Sequence, residues 1–404
     1  MADVSDYEIR LVEPDEYRVS ADVFLGAMHH APITDERWEL TLPSYEPGRT
    51  FGAYHSDAIV GTTASFASRL AVPGGGVLPM AMVTKVGVRS DHTRRGVLTG
   101  LMRTQLGALA EPFATLRASE GGIYGRFGYG VATRGRTMTI KRARAACRPD
   151  APTGGRVRLV ELDEAIELMP EIYRRTGPMR PGWACRDGYW WNTMRSWMSM
   201  QNKPVRFAIH RGTDGDDGFA VYYVERDHQN PTVLGLDDLM AGSQQAWVGL
   251  WRFLCTVDLV DEIRAHLRPL DEPLEELLAD RRAVTTSAID DETWLRIVDV
   301  PRALAARTFG AVSGRSESMV VEVRDSLLPA NSGRYRIGDG PARPVGEPAE
   351  LVLDAAALAT VYLGDVPPSA LAYAGRVTAI EDDAVAMADR LFAVPTAPWC
   401  GTYF

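Results

Sequence analysis

The clearest hydrophobic pattern in the chain predicts a strand and a helix between Met80 and Leu109. In MAMVTKVGV the apolar side chains alternate with the others, which is typical of a strand with one buried face. After the polar loop SDHTRRGV, leucine and methionine return at the spacing of an amphipathic helix. The first amide groups of such a helix lack partners and its dipole is positive there, so the loop predicts a phosphate-binding cradle. Arg94 and Arg95 add positive charge, and Gly96 lets a ligand approach the backbone.

A second unusual segment follows the helix. FATLRAS at 113–119 has the apolar content of a short buried strand, and EGGIYGRFGYG comes directly after it. That stretch holds five glycines and two tyrosines in eleven residues. Because each glycine inside a helix or strand costs roughly 0.5–1 kcal/mol, the segment is predicted to be a shaped loop.

These two segments carry a family resemblance. VGVRSDHTRRGVLTGLM and ASEGGIYGRFGYG resemble the acetyl-CoA signature and the tyrosine-bearing loop of the Gcn5-related N-acetyltransferases (GNAT), and within them of the Eis (enhanced intracellular survival) family of actinobacteria. The resemblance extends through GDGPAR and VYLG to an aromatic last residue, Phe404. Two positions depart from the superfamily loop, because Thr93 stands where Gln or Arg is usual and Leu98 replaces a small residue.

The order of predicted elements, together with the resemblance, implies an α/β (α+β) fold. We expect two tandem GNAT-like mixed-sheet domains, a catalytic one at 1–147 and a diverged one at 148–291, with RPDAPTGGR as the linker. A sterol-carrier-like domain at 292–404 follows, and its predicted strands are TWLRIVDV, MVVEV and ELVLD. The loop MAGSQQA of the second domain has no arginine and a poorly placed glycine, so that domain is predicted to be structural.

The resemblance implies acetyl-CoA as co-substrate and no metal. It places the cofactor against the end of the strand, the cradle and the start of the tyrosine loop. The residues implied are Val86, Gly87, Val88, Arg94, Arg95, Gly96, Val97, Leu98, Thr99, Ser119 and Glu120. In this superfamily a backbone N–H of the strand donates to the oxyanion.

Acetyl transfer to an amine needs an acid for the departing thiolate and a base for the amine. By resemblance Tyr124 is the acid, and a phenol with a pKa of about 10 is protonated at neutral pH. Tyr129 is the alternative, although it equally fits a core ring beside Phe127 with its hydroxyl bonded to backbone. The resemblance assigns the base to the terminal carboxylate of Phe404, and the uncharged end WCGTYF is expected to dock against protein.

Charge and family together indicate the substrate class. The net charge of −9 disfavours nucleic acid as partner and suits a cationic substrate. The resemblance implies aminoglycoside antibiotics, other polyamines or protein lysines. Acidic and aromatic residues that could line an acceptor pocket are Asp35, Glu36, Trp38, Asp237 and Asp238, and each also fits a solvated surface position. The tryptophans at 183, 190, 191 and 197 fit either a pocket wall or core packing.

Composition limits the setting in which the protein works. The four cysteines have no paired spacing, no apolar run approaches the roughly 20 residues of a membrane span, and MADVSDYEIR is not a secretory signal. We therefore expect a cytoplasmic protein, and the resemblance implies a homo-oligomer, a hexamer. The alternative class is a non-catalytic acyl-CoA- or lipid-binding interaction protein that keeps these folds.

Overall fold

The computed structural model describes residues 6–177, 180–199, 203–227, 229–310 and 317–404. The strands of this part of the chain are β1 (Glu8–Leu11), β2 (Thr50–His55), β3 (Ala58–Ala71), β4 (Val77–Val88), β5 (Phe113–Leu116), β6 (Gly130–Lys141), β7 (Arg156–Val160), β8 (Arg206–Gly212), β9 (Gly215–Asp227), β10 (Asn230–Ala241), β11 (Glu262–Arg268), β12 (Val284–Ile297), β13 (Met319–Arg324), β14 (Gly333–Ile337), β15 (Arg343–Pro344), β16 (Leu351–Asp354) and β17 (Val377–Ala379). The helices are α1 (Tyr17–Ala27), α2 (Asp35–Thr41), α3 (Val97–Ala108), α4 (Leu162–Thr176), α5 (Gly188–Ser199), α6 (Gln244–Thr256), α7 (Leu274–Leu277), α8 (Val300–Ala306), α9 (Ala355–Tyr362), α10 (Pro368–Tyr373) and α11 (Ala384–Phe392).

The chain divides into two compact units. The first unit combines residues 1–133, 180–196 and 293–404, and the second combines residues 134–179 and 197–292. Strands β6 and β12 and helix α5 each give residues to both units. The first unit is therefore built from three separate pieces of the chain.

The first unit contains a mixed sheet in which β1 to β4 are antiparallel neighbours and β4 is parallel to β5. Helices α1 and α3 pack on opposite faces of this sheet. Gly61 of β3 faces α3, because a Cβ there would lie 2.8 Å from Val97. The next residue, Thr62, hydrogen-bonds Ser20 of α1 at 2.6 Å. The fourth strand leads into the cradle helix, as the sequence predicts.

The strand predicted in TWLRIVDV belongs to this sheet and not to the sheet of the sterol-carrier-like segment. Its residues Trp294 to Ile297 pair antiparallel with Leu116 to Phe113 of β5. The assignment of this strand to the sterol-carrier-like sheet was wrong. Strand β5 pairs with β4 along one edge and with β12 along the other, and no local sequence pattern identifies β12 as that second partner.

The C-terminal part of the first unit forms its own five-stranded sheet, in the order β15-β14-β13-β16-β17. Helix α9 follows β16 at once and is buried along its whole length. Its start is capped by Asp354, whose carboxylate accepts from the amide of Ala357 at 2.7 Å. The core of the first unit is continuous from the first sheet into this segment, since Met82 and Leu295 share one buried cluster with Val321 and Leu358.

The second unit contains the sheet order β6-β11-β10-β9-β8-β7. Its strands are antiparallel except β10 and β11, which are parallel and joined through α6. This repeats the β4–α3–β5 arrangement of the first unit. The prediction of two tandem mixed-sheet domains is thereby confirmed.

Candidate active site

A gap opens between β4 and β5 in the first unit. The two strands pair only at Met80–Phe113, Ala81–Ala114 and Met82–Thr115. Strand β4 then continues to Val88, whereas β5 ends at Leu116. Beyond Met82, none of the described strands pairs with the edge of β4 that faces away from β3, so an extended ligand with amide groups fits there.

A bulge interrupts β4 inside this gap. The register with β3 shifts between Ala64–Thr84 and Thr62–Gly87, which leaves Lys85 and Val86 opposite one residue of β3. Lys85 has φ of 52°, a left-handed conformation that is unusual for a residue with a side chain. Bulges of this kind redirect backbone groups next to active sites.

The start of α3 is open to an anion. Gly96 precedes the helix with φ of 83° and has no side chain that could cap it. The first helical hydrogen bond runs from the amide of Gly100 to the carbonyl of Gly96 at 2.9 Å. The amides of Val97, Leu98 and Thr99 precede that bond and therefore have no acceptor within the helix. These residues fit the diphosphate of a coenzyme, as the cradle prediction requires.

The side chains around the cradle have separate tasks. Arg94 and Arg95 are exposed, and Arg94 has φ of 61°. The hydroxyl of Thr93 donates to the carbonyl of Ser90 at 2.9 Å, so this departure from the superfamily pattern closes the turn locally. Gly87 serves packing, because a Cβ there would lie 2.9 Å from that of Ala27 on α1.

Tyr124 is held inside the glycine-rich loop. It precedes a short 3-10 helix at Gly125–Phe127 and packs in a buried cluster with Met102 of α3. Burial, with the charge of Glu120 in addition, raises the pKa of Tyr124 to about 12. The phenol is therefore protonated at neutral pH, as an acid must be. Ser119 and Glu120 are exposed at the start of the loop.

Tyr129 lies against Tyr124, with ring centroids 5.9 Å apart in an edge-to-face arrangement. Its side chain is 1% exposed, and its hydroxyl has no hydrogen-bond partner within the described residues. The expected bond to the backbone is therefore not formed. Burial raises the pKa of Tyr129 above its usual value.

The sterol-carrier-like segment holds the tyrosine loop in place. Gly128 has φ of 82°, and a Cβ there would collide with the guanidinium of Arg296. Arg296 is fully buried and donates to Asp325 at 2.5 Å. A Cβ at Gly130 would likewise collide with the backbone of Ala356 on α9. The loop glycines thus permit close contact with β12 and with the C-terminal segment.

The chain end is fixed by side chains from distant parts of the sequence. Arg117, directly after β5, donates two hydrogen bonds to the carbonyl of Thr402, at 3.1 and 2.9 Å. Arg186 donates to the carbonyl of Gly401 at 2.6 Å, and the indole N–H of Trp190 donates to the carbonyl of Tyr403 at 2.7 Å. The prediction that the uncharged end docks against protein is confirmed.

The ring of Phe404 is partly buried and packs edge-to-face on Phe66 of β3, with centroids 6.3 Å apart. Arg117 links this end to the tyrosine loop, since it lies between β5 and Ser119 in the chain. Trp190 and Trp183 are 1% and 3% exposed, which assigns both to the core. Trp190 in addition fixes the chain end.

Asp187 was missed by the sequence analysis. It lies between Arg186 and Trp190 in the chain and immediately before α5. One of its carboxylate oxygens is buried without a hydrogen-bond partner in the described residues. Burial, with the charge of Glu46 in addition, raises the pKa of Asp187 to about 6. The only sequence signal is an acidic residue before a helix, which is common.

The proposed acceptor-pocket residues fall in both units. In the first unit, Asp35 is exposed and pairs with Arg18 at 2.5 Å, and Glu36 is exposed beside it in the first turn of α2. Trp38 packs on Tyr45, with centroids 5.8 Å apart. In the second unit, Asp237 and Asp238 lie on β10 where its register with β9 shifts.

Several other chemistries find no support in the part of the chain that the structure describes. No group of His, Cys, Asp or Glu there could hold a metal ion. The four cysteines are free thiols, and Cys400 is 2% exposed, as expected of a small core residue. No described helix is long and apolar enough to cross a membrane.

Comparison with known proteins supports the architecture. Residues 8–132 and 182–297 each match the acetyltransferase (GNAT) domain, and residues 300–401 match the sterol carrier protein domain. An uncharacterized N-acetyltransferase of Streptomyces avermitilis is 34% identical over 393 residues, 93% of each chain. The N-acetyltransferase Eis of Mycobacterium bovis is 36% identical over 355 residues, 85% of each chain.

A solved structure agrees with these relatives. The crystal structure of Eis1 from Mycobacterium abscessus matches with a TM-score of 0.88 at 37% identity, covering 98% of this chain and 100% of that one. The matches decide between the two classes of function that the sequence left open. The chain belongs to the Eis family of GCN5-related N-acetyltransferases, and it is an N-acetyltransferase.

Proposed function

We propose that the first unit transfers the acetyl group of acetyl-CoA to amines of aminoglycosides or other polyamines. The observation that carries this proposal is the combination of a free β4 edge with an uncapped α3 start. Together they offer amide donors first to an extended pantetheine arm and then to a diphosphate. The proposed catalytic domain is the segment 1–147, with 148–291 and 292–404 as its diverged and sterol-carrier-like partners.

Acetyl-CoA supplies an activated thioester, and the chain supplies the groups that hold it. The amides of Val97, Leu98 and Thr99, with Gly96, bind the diphosphate, and Arg94 and Arg95 add charge at its rim. A backbone N–H among Val86, Gly87 and Val88 donates to the developing oxyanion. Ser119 and Glu120 border the cofactor at the start of the tyrosine loop.

Tyr124 acts as the general acid. Its raised pKa keeps the proton on the phenol, and its position in the buried cluster fixes the ring. It donates that proton to the departing thiolate. Tyr129 supports the ring of Tyr124 from the side.

The terminal carboxylate of Phe404 accepts the proton of the amine, directly or through water. Three side chains hold the carbonyls just before it, so the carboxylate has a fixed location. A carboxylate is a weak base for an ammonium, and partial burial of the chain end helps by disfavouring charge on the amine. Asp187 is the competing base, because its pKa of about 6 lies nearer to neutrality.

The net charge of −9 supports a cationic substrate by raising its local concentration. Within the first unit, Asp35, Glu36 and Trp38 are the proposed contacts for the substrate. Within the second unit, Asp237 and Asp238 are separate candidates for binding a cation. Because attraction by charge tolerates many shapes, several amines of one polyamine should react.

Release of free CoA thiol by the full chain tests the proposal, with an aminoglycoside and a linear polyamine as acceptors. We expect turnover with both and more than one acetyl group on each product. A single residue added after Phe404 should lower kcat strongly, whereas the same addition before Met1 should not. Absence of turnover with every polyamine would overturn the substrate class, and full activity of the extended chain would remove Phe404 from the mechanism.

We propose further that the protein works in the cytoplasm as a homo-oligomer, a hexamer. Family membership and four free cysteines support these two statements. Light scattering of the full chain measures the assembly, and a monomer at micromolar concentration would contradict it.

A further inference from the structure

Lysine is rare in this chain, and one lysine lies in the β4–β5 gap. Only three of the 44 cationic residues are lysines, namely Lys85, Lys141 and Lys203. Lys141 pairs with Glu262 at 3.9 Å, and Lys203 pairs with Glu225. Lys85 has no carboxylate partner among the described residues.

Lys85 lies on the face of β4 that carries α1 and the residues after α2. Its ammonium group lies over the ring of Tyr45, 4.4 Å from the centroid. Tyr45 is stacked on Tyr17 at 4.9 Å and also contacts Trp38, with ring centroids 5.8 Å apart. The amine therefore lies against an aromatic ring, and no carboxylate among the described residues pairs with it.

The backbone at Lys85 has a left-handed conformation, with φ of 52°. A left-handed conformation is unfavourable for a residue with a side chain, and such strain clusters at functional sites. Val86, the next residue, is one of the proposed oxyanion donors. A lysine side chain reaches roughly 6 Å from its Cα, so the amine of Lys85 can reach an acyl group bound at the amide of Val86.

The state of the amine supports reaction with an acyl donor. Burial lowers the pKa of Lys85 to about 8 from its ordinary 10.5. At neutral pH the uncharged, nucleophilic fraction is then roughly 300-fold larger than for an ordinary lysine. An arginine, the cation that the chain uses elsewhere, could not lose its proton.

We propose that Lys85 is an acetylation site, modified by the enzyme's own acetyl-CoA. The neutral ε-amine forms a C–N bond to the acetyl carbon, the thioester C–S bond breaks, and the amine proton passes to the sulfur to give free CoA thiol. The product is an uncharged acetamide beside the ring of Tyr45. This inference rests on the proposed binding of acetyl-CoA in the β4–β5 gap.

Peptide mapping by mass spectrometry tests the proposal. The full chain is incubated with acetyl-CoA without an amine acceptor, and the acetylated fraction of each of the three lysines is measured over time. We expect Lys85 to react at least about tenfold faster than Lys141 and Lys203. The matched controls are Lys85→Arg, which should lose the modification, and Lys141→Arg, which should keep it.

Two further measurements separate catalysis from chemical acetylation and from failure of the proposed function. Tyr124→Phe should slow acetylation of Lys85 and leave the other two lysines unchanged. In protein with isotope-labelled lysine, nuclear magnetic resonance should show one of three signals titrating near the lowered pKa without any acetyl-CoA. Equal labelling of all three lysines would overturn the inference. Turnover of polyamines without labelling of Lys85 would overturn it while the proposed function stands, and failure to bind acetyl-CoA would overturn both.

Discussion

Two segments of the molecule share one layout and differ in how the helix begins. In the first unit β4 leads into α3, and β5 follows parallel to β4. In the second unit β10 leads into α6, and β11 follows parallel to β10. Gly96 starts α3 without a cap, whereas Ser243 starts α6 with its hydroxyl accepting from the amide of Ala246 at 3.0 Å.

The second segment also carries its own anion at the helix start. The hydroxyl of Ser243 donates to the carboxylate of Asp217 at 2.7 Å. The other oxygen of Asp217 lies 2.6 Å from Nδ1 of His210, a fully buried ring whose Nε2 contacts the carbonyl of Gly154 at 2.7 Å. At the start of α6, the amide of Ala246 therefore has an acceptor from within the fold, and a carboxylate already lies next to that acceptor.

The difference is that a helix start has amides available to an external anion only where the chain supplies no acceptor of its own. Arginines at the rim reinforce this in the first unit, and the second unit has none in the corresponding loop MAGSQQA. The prediction that the second unit is structural follows from the same reasoning.

The largest effect is expected from removing the acid of the first unit. Tyr124→Phe should lower kcat about a thousandfold, because general acid catalysis is typically worth 10²–10⁴. The affinity for acetyl-CoA, measured by calorimetry, should change less than about twofold, since the cradle is untouched. Tyr129→Phe is the matched control and should retain activity. An equal loss in both variants would transfer the role to the tyrosine pair.

A carboxylate introduced at the residue that precedes α3 should close the first cradle. Gly96→Asp should weaken acetyl-CoA binding about a hundredfold, because like charges brought together cost several kcal/mol. Ser243→Gly in the second unit should leave that affinity unchanged. Equal weakening of acetyl-CoA binding by both substitutions would contradict the assignment of the cradle to the first unit. Circular dichroism would show whether each variant is folded.

Loosening the chain end should have an intermediate effect. Arg117→Ala removes two hydrogen bonds to the carbonyl of Thr402, and we expect kcat to fall about tenfold with unchanged affinity for acetyl-CoA. Arg103→Ala, at an exposed position of α3, is the control. Unchanged kcat in the Arg117 variant would show that the chain end need not be anchored.

The cap of the second unit should matter for stability alone. Ser243→Ala should lower the free energy of unfolding by about 1 kcal/mol, because one helix-start amide loses its acceptor. Urea unfolding measures this. A change in acetyl-CoA affinity in the same variant would give the second unit a part in binding.

Asp187 should affect stability over a limited range of pH. Its raised pKa means that the folded chain holds this proton more tightly than the unfolded chain, so stability falls as the pH rises from about 4 to about 6. Asp187→Asn removes this contribution to the pH dependence of stability, because the amide does not titrate. The fall in Tm between these two pH values should be smaller for the variant, and equal falls would contradict the assignment. If kcat also drops strongly, Asp187 and not Phe404 is the base.

Local patterns predicted the elements that carry the cradle. The alternation in MAMVTKVGV and the leucine spacing after it correspond to β4 and α3. These features depend on neighbours in the sequence, which is why they can be read from it.

Features that depend on residues far apart in the chain could not be predicted from local sequence patterns. The partners of the chain end, Arg117 and Arg186, are more than two hundred residues away from it. Helix α4 was not predicted, and it contains Pro170, which normally argues against a helix interior. The aromatic surroundings of Lys85 come from Tyr45, a residue in a segment without a clear period.

Because the first unit is built from three pieces of the chain, its synthesis is completed after that of the second unit. Every residue of the second unit has been synthesised by position 292, whereas the first unit waits for position 404. During translation the N-terminal strands of the first unit therefore wait for their C-terminal partners, while the second unit is already able to fold. A chain stopped a few codons early would possess the whole cradle and still lack the anchored end that carries the proposed base.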